Sequence, residues 1–260
     1  MHMQFQGNTS NANPSQGLCD EYRLSDIASL AELAEAHRQI AADHPGCTPL
    51  FSLDDFGQAR YTSGHARMNL ELDDVSGLDI SGLPAECFED GKYLGYLNTK
   101  AEFAICLHNF RKHTAAVSFA DACAHGLTLD DEALEEWTGY QNDPLSLLDQ
   151  PVSALVVPVQ PAHEALAAFP NGYFTCDLGP ALNFAVARHL HGAHGYALVG
   201  VGASYLGYLR ATPPDEAQAK AIAADLCALY NAGDEDRDAL AETFAQGIAG
   251  RTHLWVRYVE

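Results

Sequence analysis

The sequence predicts an α+β fold in which a mixed β-sheet packs against several helices. From residue 150 onward, segments of strand, helix, helix, hairpin, helix, helix and strand character follow one another. The strands read as short apolar runs, some with β-branched residues, and the helices carry end signals.

Residues 1–20 are polar and read as a flexible lead-in. Ser25 or Asp26 is placed to cap a helix in which Ile27, Leu30, Ala31, Ala34 and Arg38 share one stripe, ending near His44-Pro45-Gly46. Met68, Leu70 and Leu72 alternate with polar residues, which predicts a half-buried strand. Residues 73–84 are turn-rich and acidic, and residues 93–97 predict another strand. Asn98 or Thr99 then caps a helix carrying Phe103, Leu107 and Phe110. Thr128-Leu129-Asp130-Asp131 resembles a capping box for an acidic helix that holds Leu134 and Trp137.

The stretch 141–150, with Asn-Asp-Pro inside it, predicts a boundary between an N-terminal α+β region, 21–149, and a C-terminal α+β domain, 150–260. Beyond it the continuous apolar run 152–159 predicts a buried strand, and 161–169 a short helix. Residues 179–194 form a helix with Pro180 in its first turn and Gly195 at its end. Residues 196–201 and 205–210 read as two strands of a hairpin around Gly202-Ala203. A long Ala-rich helix follows Pro213-Pro214 and reaches Tyr230, Asp234 or Asp236 opens another, and 254–259 closes as a strand.

Charge is the strongest compositional signal. The 260 residues carry 35 acidic and 14 basic side chains, a net charge of −21. Such a chain repels nucleic acid and anionic membrane, and attracts cationic surfaces over about 8–10 Å. Seven cysteines without a CxxC pair argue against a disulfide framework and a structural zinc site, and fit a reducing compartment. Residues 1–16 lack the basic and apolar regions of a secretory signal, and no apolar run reaches bilayer length. The expected location is the cytoplasm.

Gly172-Tyr173-Phe174-Thr175-Cys176-Asp177-Leu178-Gly179-Pro180, then Ala187-Arg188-His189-Leu190, then residues 196–210, resemble a bacterial family, the domain of unknown function 4253. That family closes in a Trp-rich aromatic strand. Here Trp255 fits, and the aromatic pair after it has become Arg257-Tyr258. The resemblance covers about residues 150–260 and implies a strand, helix, hairpin and long-helix order. It implies no activity.

Three constellations are candidates for chemistry. In His189-Leu190-His191-Gly192-Ala193-His194, His191 and His194 share a helix face at i, i+3 and could ligate one metal. No acidic or thiolate partner stands at fixed spacing, so histidine complementing the negative end of a helix is the simpler reading, and no metal or other cofactor is assigned. Cys176-Asp177 precedes the same helix, where a thiol is acidified by exposed N–H groups and a histidine would activate it. Asp177 reads more simply as the N-cap of that helix. Gly200-Val201-Gly202-Ala203-Ser204 lacks the third glycine of a dinucleotide fingerprint and reads as a hairpin turn.

The acidic runs Asp54-Asp55, Asp73-Asp74, Asp130-Asp131-Glu132, Glu135-Glu136 and Asp234-Glu235-Asp236 complete the set. Gathered on one surface they would mimic a polyanion, with Trp137 either as an aromatic anchor in that rim or as the buried side of its helix. The leading expectation is a non-catalytic acidic binding protein, with Asp130, Asp131, Glu132, Glu135, Glu136 and Trp137 meeting a basic protein partner. An immunity-type inhibitor of a cationic toxin is its concrete form. The alternative is a metal- or cysteine-dependent hydrolase built on Cys176, Asp177, His189, His191 and His194.

Overall fold

The computed structural model describes residues 1–233 and 235–260. Its elements in chain order are β1 (His2–Gly7), β2 (Asp20–Ser25), α1 (Leu30–Asp43), β3 (Thr48–Ser52), α2 (Phe56–Asn69), β4 (Phe88–Glu89), β5 (Lys92–Tyr93), α3 (Phe103–Thr114), α4 (Phe119–His125), α5 (Asp131–Asn142), β6 (Val152–Val157), α6 (Pro180–His194), β7 (Ala197–Val201), β8 (Tyr205–Leu209), α7 (Glu216–Leu229), α8 (Arg237–Ile248) and β9 (His253–Arg257). A seven-stranded sheet runs in the order β1-β2-β6-β3-β7-β8-β9, and β4-β5 form a separate small ribbon. The β3–β7 pair is parallel and the other ladders are antiparallel, so the sheet is mixed and the fold is α+β. No helix among the described residues is long and apolar enough to cross a membrane.

All six residues of β6 are buried, as its continuous apolar run requires of a strand covered on both faces. Its neighbour β3 is equally buried but contains Pro49, which disguises it in the sequence. Pro49 is tolerated because it pairs with Val156 of β6 at the end of β3 away from β7, whose ladder takes only Phe51 and Ser52. This interleaving removes the boundary expected at 141–150. β6 lies between β2 and β3, and one large core cluster contains Leu50, Phe103, Trp137, Leu155 and Trp255. A second cluster joins Leu24, Leu33, Ile40 and Phe51 to Val152, Ala154 and Val156, so residues 21–149 and 150–260 share one sheet and both of its core clusters.

The polar segment 1–20 is not a free lead-in. It supplies edge strand β1, paired with β2, and a loop in which Leu18 and Cys19 are buried. Asn13 Nδ2 donates to the Cys19 carbonyl at 2.8 Å, and the Ser15 hydroxyl donates to the Ala168 carbonyl. An edge strand needs few apolar residues, which is why composition hides it.

Two further expectations change. The Met68-Leu70-Leu72 alternation is not a strand, because residues 56–69 form α2, capped by Asp55, whose carboxylate accepts from Gln58 N. Its buried face is Ala59, Thr62, Ser63 and Ala66, a helical spacing of small residues that carries little hydropathic signal. Helix α1 starts after Ser29, not Ser25 or Asp26, and buries Leu33, Ala36 and Ile40.

The C-terminal elements follow the sequence reading closely. Pro180 opens α6 and Gly195 ends it at φ 72°, a left-handed backbone that suits glycine. Asp215 and Gln218 form a capping box on α7. Residues 161–169 hold a 3₁₀ segment, Ala162–Ala167, in place of a regular helix. Asp234, one of the two residues expected to open the next helix, lies outside the described residues, and α8 begins after Asp236.

Candidate functional site

Helix α5 presents its first two turns to a groove of about 690 Å³ whose far wall is the end of β9. Asp130, Glu132, Glu135, Glu136 and Glu260 line it, with Arg257 as its cation. Asp130 is the N-cap of α5, accepting from Ala133 N at 2.8 Å. Glu136 is held from two sides, accepting from the Tyr205 hydroxyl at 2.8 Å and from Arg257 Nη1 at 2.5 Å. Burial and the bond to Glu136 push the Tyr205 hydroxyl far above its ordinary range, so it stays a donor. Arg257 is thus committed to a fixed carboxylate. Glu132 and Glu135 are exposed and make no ion pair among the described residues.

Two members of the expected set fall outside this groove. Asp131 is exposed on α5 but does not line it. Trp137 is fully buried, and its Nε1 donates to the Trp255 carbonyl at 2.7 Å while its ring meets Phe244 edge to face at 4.9 Å. It cannot anchor a partner, because the same turn that puts Glu135 and Glu136 outside puts Trp137 and Gln141 against β9.

The acidic runs Asp54-Asp55 and Asp73-Asp74 do not line this groove. Asp54 is drawn into the fold, accepting from Ser204 N at 2.8 Å and Tyr205 N at 3.3 Å, and burial pushes its carboxyl up to about 6. It ties the β7–β8 turn to the end of β3; that turn is Gly202 to Ser204, and Gly200 and Val201 of the expected turn belong to β7. Asp55 caps α2. Asp73 and Asp74 line a separate hollow with Glu71 and Tyr93.

The expected cysteine–histidine site does not form. Cys176 is exposed, and its thiol lies 3.9 Å from Asp177 Oδ1. Its histidine neighbour is His125, whose Nε2 is 3.2 Å from the Cys176 carbonyl oxygen rather than from sulfur. Asp177 is not the N-cap, a position held by Gly179. Its carboxylate instead accepts from Phe174 N at 3.1 Å, and burial raises its pKa. His189, His191 and His194 lie at the other end of α6, separated from Cys176 by at least about 13 Å of continuous helix.

The three histidines also divide differently from the i, i+3 expectation. His191 turns towards His163, with ring centroids 6.2 Å apart. His189 and His194 meet instead at one oxygen of Asp225 on α7, with Nε2–Oδ2 distances of 2.6 and 2.7 Å. Asp225 is the residue the sequence reading missed. It sits 31 residues beyond His194 in the middle of an Ala-rich helix, and only tertiary packing brings it to the histidines. Compared with known proteins, the chain matches no family model, no curated protein and no solved structure.

Proposed function

We propose that this is an acidic, non-catalytic binding protein whose α5 groove receives a basic segment of a protein partner, as an immunity-type inhibitor receives a cationic toxin. The observation that carries this reading is the convergence of Asp130, Glu132, Glu135, Glu136 and Glu260 on one concave surface. Concavity matters because it lets several carboxylates face the same inserted cation. Glu136 and Arg257 form a prearranged floor, and Glu132 and Glu135 supply charge that no cation among the described residues pairs with. The net charge of −21 adds long-range attraction, which acts mainly on association rate and fades with salt.

The cysteine-dependent alternative loses its support with the separation of Cys176 from the histidines. The test of the binding reading compares two charge reversals of equal size. Glu132→Lys/Glu135→Lys alters the groove, and Asp73→Lys/Asp74→Lys alters a different face. Each is co-expressed with the protein encoded immediately upstream. The expected result is a complex, and relief of that protein's toxicity, for the wild type and the Asp73/Asp74 variant, with loss in the Glu132/Glu135 variant. No complex with wild type, or equal behaviour of both variants, overturns the reading.

A further inference from the structure

We propose that His189, His194 and Asp225 form a binding site for a divalent transition-metal ion of the Zn²⁺ class, bridging α6 and α7. The ligand atoms are two imidazole nitrogens and one carboxylate oxygen, all within 4.8 Å of one another. Two imidazoles with one carboxylate suit zinc and its first-row neighbours, whereas calcium and magnesium favour sets made of oxygen. The site is independent of the α5 groove and does not rest on that reading.

Its construction is specific. Five residues on a helix point about 140° apart, so His189 and His194 would normally diverge. His194 is the last helical residue before Gly195, and Asp225 approaches from a second helix. The two rings end 5.8 Å apart and nearly perpendicular, at 82°. His189 lies flat on Phe119 of α4, with centroids 3.9 Å apart and planes 6° apart, which fixes the plane of its Nε2 lone pair.

The metal would replace the two hydrogen bonds that Asp225 now accepts. Bonds of about 2.0–2.1 Å in a tetrahedron hold ligand atoms about 3.3 Å apart, so each ring withdraws by roughly 0.6 Å. Asp225 is 30% exposed and His189 29%, so most of this adjustment falls to them, while His194, at 10%, is the more confined ring. A hollow of about 450 Å³ bounded by Phe119, Arg188, His189 and Gly192 opens beside the site and gives solvent a route to it. Three protein ligands leave one position of the tetrahedron for water or an outside ligand. Cys123 lies on the same face of α4 as Phe119, one turn on, but is not among the side chains whose ligand atoms gather within 4.8 Å of one another, so the donor set is nitrogen and oxygen only.

The test is Zn²⁺ titration of the full chain by calorimetry after exhaustive chelation, with metal content measured on the dialysed complex. We expect one equivalent in the wild type, and the same in His191→Ala, which removes the histidine facing elsewhere. Asp225→Asn and His194→Gln should each weaken binding by about 100-fold or more, since even outer partners of a metal ligand cost 10–100-fold. Zinc-edge X-ray absorption of the wild-type complex should report two imidazoles and no sulfur. It requires no variant to fold. Less than a tenth of an equivalent, equal affinity in Asp225→Asn, loss in His191→Ala, or a sulfur shell each overturns the assignment.

Discussion

The Trp137 indole nitrogen donates to the carbonyl oxygen of Trp255 across a distance of 2.7 Å, joining α5 to the last strand of the sheet. Gln141 Nε2 reaches the same oxygen at 3.2 Å. The face of α5 opposite the acidic groove is therefore a structural seam. Trp137→Ala should cost about 3–5 kcal/mol of stability, as other buried aromatic truncations do. Trp137→Phe should cost less but still leave the Trp255 carbonyl with one donor fewer. Urea unfolding checks both, and an unchanged midpoint for Trp137→Ala would show that the indole is not part of this seam.

Gly247 of α8 packs directly on that ring. A Cβ there would lie 2.6 Å from Trp137 Cη2, too close for any real contact. Gly247→Ala should destabilise by about 1–3 kcal/mol despite alanine's better helix propensity, because the indole is pinned from the other side. Gly192→Ala in α6, where a Cβ would meet nothing within 4 Å, provides the contrast and should be neutral or stabilising.

Asp54 and His253 make opposing contributions to acid stability. Burial holds Asp54 at about 6 in the fold, against about 3.9 unfolded, so the folded state keeps a proton that the unfolded chain releases. Its ionisation lowers stability as pH rises from about 4 to about 6, by about 2–3 kcal/mol in full. Burial lowers His253 to about 4, against about 6.5 unfolded, so the unfolded chain binds the extra proton. That term lowers stability as pH falls through the same interval. Asp54→Asn should therefore lose stability on acidification from pH 6.5 to 4 more steeply than wild type, and His253→Gln less steeply. Unfolding free energies at three pH values in that span decide the matter, and parallel curves for wild type and Asp54→Asn would contradict it.

Thiol reactivity should follow exposure. Cys176 is exposed, Cys47 and Cys123 are half-buried, and Cys19, Cys87, Cys106 and Cys227 are buried. Burial pushes Cys106 up to about 11, which suppresses its thiolate at neutral pH. A disulfide reagent should modify one thiol quickly in the native protein and the buried four only on unfolding. Cys176→Ser should abolish the fast phase without changing partner binding. Several equally fast native thiols would mean a looser core than the one described.

The parts of this fold that were legible in the sequence are those whose signals are local. Pro180 and Gly195 bracket α6, and the β7–β8 hairpin sits around Gly202, because termini and turns depend on the backbone chemistry of a few adjacent residues. The signal fails where partners are distant. The buried face of α2 is Ala, Thr and Ser, which pack closely without looking apolar. Pro49 argues against a central strand until the one-sided pairing of its end of β3 is known. The acidic groove was half legible, since Glu132, Glu135 and Glu136 cluster in sequence, but Glu260 joins them only through β9. Asp225 is the extreme case, an unremarkable residue of α7 until α6 is laid beside it.

Seating β6 between β2 and β3 has a consequence for how the chain is born. During synthesis β3 emerges about a hundred residues, and β2 about 130 residues, before the strand that hydrogen-bonds to both. Until residue 157 has left the ribosome, each carries an open edge, and β3 gains its parallel neighbour β7 only some forty residues later still. The nascent chain therefore travels a long way with unpaired edges, and chaperone supply should govern the yield of soluble protein more than any single contact in the finished fold.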